Sequence, residues 1–363
     1  MPDVLVLTPD FPPEKGGIQI LVHRVVSSWT RIRPMVVTLD SDDGGRFDLG
    51  LAFPVHRVGL GRAGHRIRLV LLNVVAFSVG LRRRPDAVLS GHIVMSPAAW
   101  LLSRTLRIPF VQYLHGQEIT VRPALASFAV RHAALSIAVS RHTESLARSC
   151  GADPSRVRRI HPGVDPETAA PAARRRPDVI VVARLDERYK GHDVLIRALP
   201  LICACVPQAR LVIVGDGSLR DAFEHLARSL GVADAVVFAG AVDDSERDRL
   251  LGEASVFAMP SRQLAAGAGE GFGIVFLEAA TRHLPVVAGA VAGTLDAVVD
   301  GETGLLVDPR DHLAVADAVI RLLKDGSLAR RLGANGARRA DAFAWPNVGD
   351  AVEDLMLELL EAR

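Results

Sequence analysis

The segment from Gly267 to Ala280 holds the residues whose types and spacing are best suited to chemistry. It reads Gly-Ala-Gly-Glu-Gly-Phe-Gly-Ile-Val-Phe-Leu-Glu-Ala-Ala, a glycine-rich turn followed by an apolar helical run. A helix that begins there would point the amides of Phe272 and Gly273 at an anion, with the positive helix end behind them. Glu270 precedes this helix, and Glu278 lies in its apolar stretch, where sugar hydroxyls would satisfy a buried carboxylate. The alternative is an ordinary capped helix with Glu278 exposed.

Two cations follow the first apolar run of the second half of the chain. Arg184 begins and Lys190 nearly ends the segment Arg-Leu-Asp-Glu-Arg-Tyr-Lys-Gly. A guanidinium fork and an ammonium point charge at the carboxyl end of a strand suit a diphosphate. We expect both side chains on an exposed loop, and the alternative is a surface loop that binds nothing.

A further glycine turn lies between the first predicted strand and the first predicted helix. Gly16 and Gly17 end the segment Pro-Pro-Glu-Lys-Gly-Gly that begins at Pro12. Two residues without side chains allow a ligand to approach the backbone closely, and the helix N-terminus behind them favours an anion. The spacing fits neither the dinucleotide-binding fingerprint nor the P-loop. A plain strand-to-helix turn is the alternative.

The sequence gives little support to metal chemistry. The triplet Asp40-Ser41-Asp42 has the D-x-D pattern of a cation site, but another Asp and two glycines follow it, which predicts a solvated polar turn. The chain has 3 cysteines, and no Cys or His pairs stand at zinc spacing. We therefore expect no metal, no cofactor and no disulfide framework, in a reducing cytoplasm.

Short β-branched runs alternate with helical patterns along the whole chain, and these elements must position the three loops. Near-continuous apolar runs such as Ile180 to Ala183 are typical of parallel strands buried on both faces. The predicted class is α/β, with two doubly wound Rossmann-like domains facing across a cleft. Ligands of such sheets bind at the carboxyl ends of the strands, so the cleft is the expected site. Strands are predicted near 3–8, 35–39, 53–58, 86–90, 109–114, 135–139, 157–160, 178–183, 210–214, 235–239, 255–259, 285–288 and 304–307.

The 363 residues, 49% of them hydrophobic, suit two globular domains and exclude a disordered chain. Residues 1–176 carry 24 Lys and Arg against 13 Asp and Glu, whereas residues 177–363 carry 19 against 28. A basic half joined to an acidic half indicates different partners for the two halves. The basic half lacks interleaved aromatic residues for base stacking, so nucleic acid is not an expected partner.

A stretch rich in Pro, Ala and Arg at 166–177 predicts a linker between the domains. The predicted N-terminal domain is 1–165, and the predicted C-terminal domain is 178–343. Segment 344–363 holds a last helix, predicted from Asp350 to Glu361.

The segment from Arg62 to Arg84 places an apolar middle between two arginine clusters. Its longest apolar run is too short to cross a bilayer, which needs about 20 residues. One interpretation is a helix that covers the core, with arginines extending to solvent at its ends. The other is a helix that lies on an anionic membrane surface.

These motifs resemble those of GT4-type retaining glycosyltransferases of the GT-B fold. The resemblance covers nearly the whole chain, and Met259 to Ala280 is most similar to the phosphatidylinositol mannosyltransferase branch. It implies that the closing segment 344–363 crosses back onto the first domain. The motifs that carry it are the early Gly-Gly turn, His161-Pro162-Gly163-Val164-Asp165, the Arg184/Lys190 pair and the Glu270-x7-Glu278 loop.

The resemblance also implies a role for each motif residue. Glu270 would bind hydroxyls of the transferred sugar, Glu278 the ribose diol, and Val242 the base through its backbone. His115, in Leu-His-Gly-Gln-Glu at a predicted strand end, matches a histidine that lines the sugar site. The groups that would hold the donor diphosphate are the Gly17 amide in the Gly16-Gly17 turn, Arg184, Lys190 and the amides of Phe272 and Gly273. The implied catalytic residues are His115, Arg184, Lys190 and Glu270.

The implied activity is metal-free, retaining transfer of a hexose from a nucleoside diphosphate sugar to a hydroxyl acceptor. GDP-mannose and a UDP-hexose stay open as donors, and a lipid-linked and a small-molecule acceptor stay open as acceptors. A nucleotide-sugar epimerase of the same architecture is the first alternative, and a non-catalytic nucleotide-sugar-binding partner is the second. The expected location is the cytoplasm, either free or peripheral at the inner membrane face.

Overall fold

The structure is a computed structural model that describes residues 1–14, 16–59, 61, 64–166, 175–264, 267 and 269–362. It divides into two compact units. Unit 1 comprises Met1–Gly163 and Trp345–Arg363, and unit 2 comprises Val164–Ala344. Most of the predicted linker, residues 167–174, lies outside the described residues, as do Lys15 and Arg62.

The described part of unit 1 contains a seven-stranded parallel sheet in the order β3-β2-β1-β4-β5-β6-β7. Its strands are β1 (Asp3–Leu7), β2 (Arg33–Leu39), β3 (Val55–Val58), β4 (Ala87–Ser90), β5 (Phe110–Leu114), β6 (Leu135–Ala138) and β7 (Val157–Arg159). Its helices, in chain order, are α1 (Gly17–Ser27), α2 (Gly44–Asp48), α3 (His65–Arg83), α4 (Ser96–Leu106), α5 (Gln117–Val121), α6 (Pro123–His132) and α7 (Arg141–Ser149).

The described part of unit 2 contains a six-stranded parallel sheet in the order β10-β9-β8-β11-β12-β13. Its strands are β8 (Asp178–Val182), β9 (Arg210–Val214), β10 (Val236–Gly240), β11 (Val256–Met259), β12 (Val286–Gly289) and β13 (Gly304–Val307). Its helices are α8 (His192–Cys205), α9 (Arg220–Ser229), α10 (Asp244–Glu253), α11 (Ile274–Thr281), α12 (Thr294–Ala297), α13 (His312–Lys324) and α14 (Gly326–Asp341).

Both sheets have a switch point, where the strand order reverses between the first and fourth strands of the unit. The switch lies between β1 and β4 in unit 1 and between β8 and β11 in unit 2. Central strands are buried along their length, as in Val4 to Leu7 and Val179 to Val181. Because helices cover both faces, the strands show continuous apolar runs instead of alternation. The predicted class, with two doubly wound Rossmann-like domains, is confirmed.

The last helix, α15 (Trp345–Glu361), belongs to unit 1, as the resemblance implied. It packs on α1, and Gly349 lies so close to Ser28 that an added Cβ would collide with it. The carboxylate of Glu353 is fully buried and accepts hydrogen bonds from the amides of Thr30, Arg31 and Ile32 at 2.8, 2.6 and 3.0 Å. The guanidinium of Arg31 donates to its second oxygen at 3.1 Å. This buried carboxylate therefore fixes α15 to the loop between α1 and β2.

Three local predictions differ from the structure. The closing helix begins at Trp345, not Asp350, because Pro346 is compatible with the first helical turn. Helix α5 follows the His115 loop, where no helix was predicted. The polar turn predicted after Asp42 is instead the start of α2, since Gly44 packs directly on the guanidinium of Arg57.

Candidate active site

An ion pair marks the switch point of unit 2. The Lys190 ammonium lies 2.7 Å from the Glu270 carboxylate, and these side chains are only 17% and 11% exposed. Lys190 ends a short 3₁₀ turn (Arg188–Lys190) after β8, and Glu270 lies in the loop after β11. Strands β8 and β11 are neighbours in the sheet, so their carboxyl-end loops meet. The sheet topology thus joins two motifs that are 80 residues apart in sequence.

Lys190 stays protonated in this setting. Burial lowers the pKa of its ammonium, but the adjacent Glu270 carboxylate and the Tyr189 hydroxyl outweigh burial and raise the pKa above its ordinary value. The prediction that Lys190 lies on an exposed loop is wrong, because the turn folds back against the loop after β11. Arg184 is exposed, as predicted. One shielded, ion-paired cation and one exposed cation therefore follow β8.

The glycine-rich turn before α11 has a backbone conformation that residues with a side chain rarely adopt. Gly273 caps the helix with φ of 90°, and an added Cβ would collide with the ring of Phe276. The carbonyl of Glu270 accepts a hydrogen bond from the Gly293 amide at 3.0 Å. Phe272 is 2% exposed, with its ring 5.9 Å from that of Phe343. These contacts fix the start of α11, whose first amides have no acceptor within the helix.

Glu278 is partly buried within α11, which excludes the alternative of an exposed side chain. Burial raises the pKa of its carboxyl, whereas the guanidinium groups of Arg247 and Arg282 oppose that rise. Asp248 of α10 holds Arg282 at 2.9 Å, so α10 lies beside the end of α11. The carboxylate is desolvated but flanked by cations, a setting that donors from a vicinal diol would complete.

Val242 lies in the loop between β10 and α10 and is partly buried. The same α10 brings Arg247 close enough to Glu278 to affect the pKa of that carboxyl. The loop that carries Val242 and the helix that carries Glu278 are therefore connected through α10. Arg184, Lys190, Val242, Glu270, Phe272, Gly273 and Glu278 all belong to unit 2.

The remaining predicted residues belong to unit 1. Gly17 is the first residue of α1 and is exposed, and Gly16 caps that helix with an extended backbone. An added Cβ on Gly16 would meet the end of the Gln19 side chain. The turn therefore stands at a helix N-terminus next to the switch point of the unit 1 sheet, as predicted.

His115 follows β5 in a tightly bonded loop. Its Nε2 lies 2.7 Å from the carbonyl of Gly91, and its own amide donates to Glu118 at 2.6 Å. A carbonyl only accepts, so the Nε2 in this contact carries a proton. The ring stacks on Tyr113 at 5.5 Å. Burial and the neighbouring His115 lower the pKa of His92 to about 3, so the His92 ring stays neutral.

Arg262 is a site residue that the sequence reasoning missed. It lies in the loop after β11, and it hydrogen-bonds both the turn that carries Lys190 and Asp193 in the first turn of α8. Nothing in the sequence around Arg262 indicates this pairing, because its partner Asp193 is 69 residues away.

Among the described residues, no group of three or more His, Cys, Asp or Glu side chains is arranged to hold a metal ion. Asp40 and Asp42 are exposed, as predicted for a solvated turn.

Two family models match the chain, one on each side of the predicted linker. The model described as Glycosyltransferase Family 4 matches residues 15–168, and that described as Glycosyl transferases group 1 matches residues 167–339. A GDP-mannose-dependent alpha-(1-6)-phosphatidylinositol monomannoside mannosyltransferase of Mycolicibacterium smegmatis is 32% identical, over 99% of this chain and 100% of its own length. A D-inositol 3-phosphate glycosyltransferase of Corynebacterium diphtheriae is 29% identical, over 78% of this chain and 73% of its own length.

Solved structures share the fold at lower sequence identity. HepE of Anabaena, in complex with UDP and glucose, superimposes with a TM-score of 0.83 at 21% identity, over 99% of this chain and 100% of its own. Sucrose-phosphate synthase of Thermosynechococcus elongatus gives 0.84 at 22% identity, over 100% of both chains. The chain therefore belongs to glycosyltransferase family 4, and the protein is a glycosyltransferase with the two Rossmann-like sheets of the GT-B fold.

Proposed function

We propose that the protein transfers a mannosyl group from GDP-mannose to a hydroxyl of an inositol-containing glycolipid, with retention at the anomeric carbon and without a metal. The observation that carries the proposal is the Lys190–Glu270 ion pair beside the N-terminus of α11. The choice of donor and acceptor is supported by the full-length mycobacterial relative, whose name gives GDP-mannose and phosphatidylinositol monomannoside.

In this proposal, Lys190, Arg184 and the start of α11 bind the donor diphosphate. An ammonium has three donors, so Lys190 can keep Glu270 and still donate to phosphate oxygens. The amides of Phe272 and Gly273 add the positive helix end. Together these groups stabilise the negative charge that develops as the diphosphate leaves.

The other site residues recognise the rest of the donor. Glu270 accepts hydrogen bonds from hydroxyls of the mannosyl group, and Glu278 accepts them from the ribose diol. The backbone of Val242 contacts the base.

Retention follows when the acceptor attacks from the side on which the diphosphate departs. The bond between the anomeric carbon and the phosphate oxygen breaks, and the acceptor oxygen forms the new bond on the same face. The acceptor proton passes to the departing phosphate oxygen, so no protein base is required. Arg184 and Lys190 keep that phosphate in place while it takes the proton.

We expect the purified chain to move radiolabelled mannose from GDP-mannose to phosphatidylinositol monomannoside, with α configuration in the product and full activity in EDTA. UDP-glucose as donor and inositol phosphate as acceptor are the matched comparisons. Release of a new nucleotide sugar without acceptor would instead identify an epimerase. Loss of activity in EDTA would contradict the metal-free reaction, and a trapped mannosyl-enzyme would contradict same-face attack.

Helix α3 favours the lipid acceptor over a soluble one. Its buried side includes Leu69, Leu72 and Ala76, yet a second apolar row faces solvent, with Ile67, Val70 and Val74 exposed by 58, 63 and 57%. Exposed arginines flank this row at Arg66 and at 82–84. An apolar row between cationic ends matches the chemistry of an anionic lipid surface. In this proposal the core-covering interpretation of α3 holds for its buried side and the membrane-surface interpretation for its exposed side.

The lipid attachment we propose is peripheral. Among the helices of the described residues, α3 included, none combines the length and apolarity that a membrane crossing requires. Each arginine near an anionic surface contributes about 1 kcal/mol, so the three at 82–84 would dominate the attraction at low ionic strength. Screening over about 8 Å at physiological salt weakens the attraction.

We expect sedimentation with vesicles rich in anionic lipid at low salt, and release as salt rises. Changing Arg82, Arg83 and Arg84 to Ser should remove most of the binding, and Val70→Ser with Val74→Ser should weaken it at every salt concentration. The matched control changes Arg104, Arg156 and Arg158 to Ser, which removes three exposed charges of unit 1 outside α3. Equal loss of binding in the control would show that net charge, not α3, causes attachment.

A further inference from the structure

We infer that Arg262 is a positioning residue that orients the Lys190 ammonium toward the donor diphosphate. It does so by binding the Arg188–Lys190 turn to the loop after β11. The inference rests on the diphosphate-binding role proposed for Lys190 and goes beyond it, because Arg262 acts through Lys190 and not on the donor.

Arg262 makes three short hydrogen bonds to the segment that carries Lys190. Its amide donates to the carbonyl of Tyr189 at 2.7 Å. Its Nη2 donates to the carbonyl of Arg188 at 2.6 Å and to the carboxylate of Asp193 at 2.7 Å. The side chains of Arg262 and Asp193 are both 19% exposed, so the ion pair is largely shielded from water. Charge-assisted bonds of this length are the strong ones.

The backbone hydrogen bonds within the turn are long. The amide of Lys190 lies 3.3 Å from the carbonyl of Glu187, and that of Gly191 lies 3.3 Å from the carbonyl of Arg188. Both distances are at the long end for N–H···O bonds. Such long bonds hold the orientation of a 3₁₀ turn only loosely, and the bonds from Arg262 add to them.

Gly191 shows how closely the turn lies against β11. Its φ is 84°, and an added Cβ would collide with the carbonyl of Pro260, two residues before Arg262. The Arg262 bonds to Arg188 and Tyr189 lie before Lys190 in sequence, whereas its bond to Asp193 and the Gly191 contact lie after it. Lys190 therefore emerges from a turn held at both ends, and this accounts for the direct contact of its ammonium with Glu270.

A lysine at position 262 would not reproduce this arrangement. Both bonds come from Nη2, and the rigid plane of the guanidinium group sets the directions of its two N–H donors toward the carbonyl and the carboxylate. An ammonium on a flexible stem has no such plane. We therefore expect Arg262→Lys to behave like Arg262→Ala, whereas Asp193→Asn, which keeps an acceptor oxygen, should have a smaller effect.

The test is a double-mutant cycle of Arg262 and Lys190. For each variant, calorimetry measures the Kd for GDP, and steady-state kinetics measure the KM for GDP-mannose. Arg262→Ala should raise both by about tenfold, as expected when charge-assisted hydrogen bonds are weakened. In a Lys190→Ala background the same change should raise them less than twofold, because its effect passes through Lys190. Irreversible unfolding lowers the active fraction and leaves both constants unchanged, whereas reversible unfolding raises both equally with and without Lys190, so a merely structural role would not produce this pattern.

Arg210→Ala is the matched control. Arg210 forms a fork with Asp178 at 3.0 and 2.7 Å, at the amino ends of β8 and β9 in the same unit. It should leave the Kd for GDP unchanged. Two results would overturn the inference and leave the proposed function standing. One is an equal effect of Arg262→Ala with and without Lys190, and the other is no effect of Arg262→Ala although Lys190→Ala raises the Kd. A wild-type chain that does not bind GDP, or an unchanged Kd in Lys190→Ala, would overturn the proposed function and the inference with it.

Discussion

Arg184→Ala and Lys190→Ala should each lower turnover by about two to three orders of magnitude, equivalent to about 3–4 kcal/mol of transition-state stabilisation. Each change removes a cation from the charge that develops on the leaving diphosphate. The measurement is steady-state transfer from GDP-mannose to phosphatidylinositol monomannoside. Arg197→Ala, on the exposed side of α8, is the matched control and should stay close to wild type.

The two variants should differ in stability because the two residues differ in environment. Arg184 is exposed, so its removal should leave the melting temperature nearly unchanged. Removing Lys190 leaves the Glu270 carboxylate, 11% exposed, without its ammonium partner, which should lower the melting temperature. Adding Glu270→Gln to Lys190→Ala should recover that stability without recovering turnover. Activity within tenfold of wild type in either single variant would contradict the diphosphate assignment.

Glu353→Ala should lower the free energy of unfolding by about 3–5 kcal/mol, the cost of removing one partner from a buried charged cluster. The change leaves the amides of Thr30, Arg31 and Ile32 without their acceptor and frees α15 from the loop after α1. For a unit of this size the melting temperature should fall by about 10 °C. Thermal and denaturant unfolding of the purified chain provide the measurement.

Asp354→Ala is the control for that prediction. Asp354 is the next residue and also pairs with Arg31, at 2.5 Å, but its side chain is 57% exposed. An exposed pair contributes at most about 1 kcal/mol. Equal destabilisation by the two variants would show that the charge near Arg31 matters and that the buried amide cluster does not.

The sequence by itself determined the helices and strands and their order, because these depend on the local periodicity of hydrophobic residues. Thirteen strands were predicted within a few residues of the strands in the described part of the chain. Continuous apolar runs separated by helical patterns allow few architectures other than parallel sheets covered on both faces. The glycine turns at Gly16-Gly17 and before Ile274 were predicted at helix N-termini, and both stand there.

Some local features escaped the sequence because distant residues decide them. The run from Asp42 reads as a polar turn, yet α2 begins at Gly44. Arg57, from β3, packs under that first turn and bonds Asp48 at its end at 2.8 Å. Propensity is a weak guide to a helix of five residues, and tertiary contacts override it.

The tertiary structure alone decided which charged residues meet. Lys190 and Glu270 are 80 residues apart, Arg262 and Asp193 are 69 apart, and Ile32 and Glu353 are 321 apart. The residue types predict that such charged groups need partners. They do not predict which partner, because any Arg in the sequence could pair with any Asp. The strand order makes the selection: β8 lies beside β11, so the loops after them share one edge, and α15 lies on α1. The spacing of residues along the chain does not predict which loops are adjacent, because the strand order brings distant segments of the chain together.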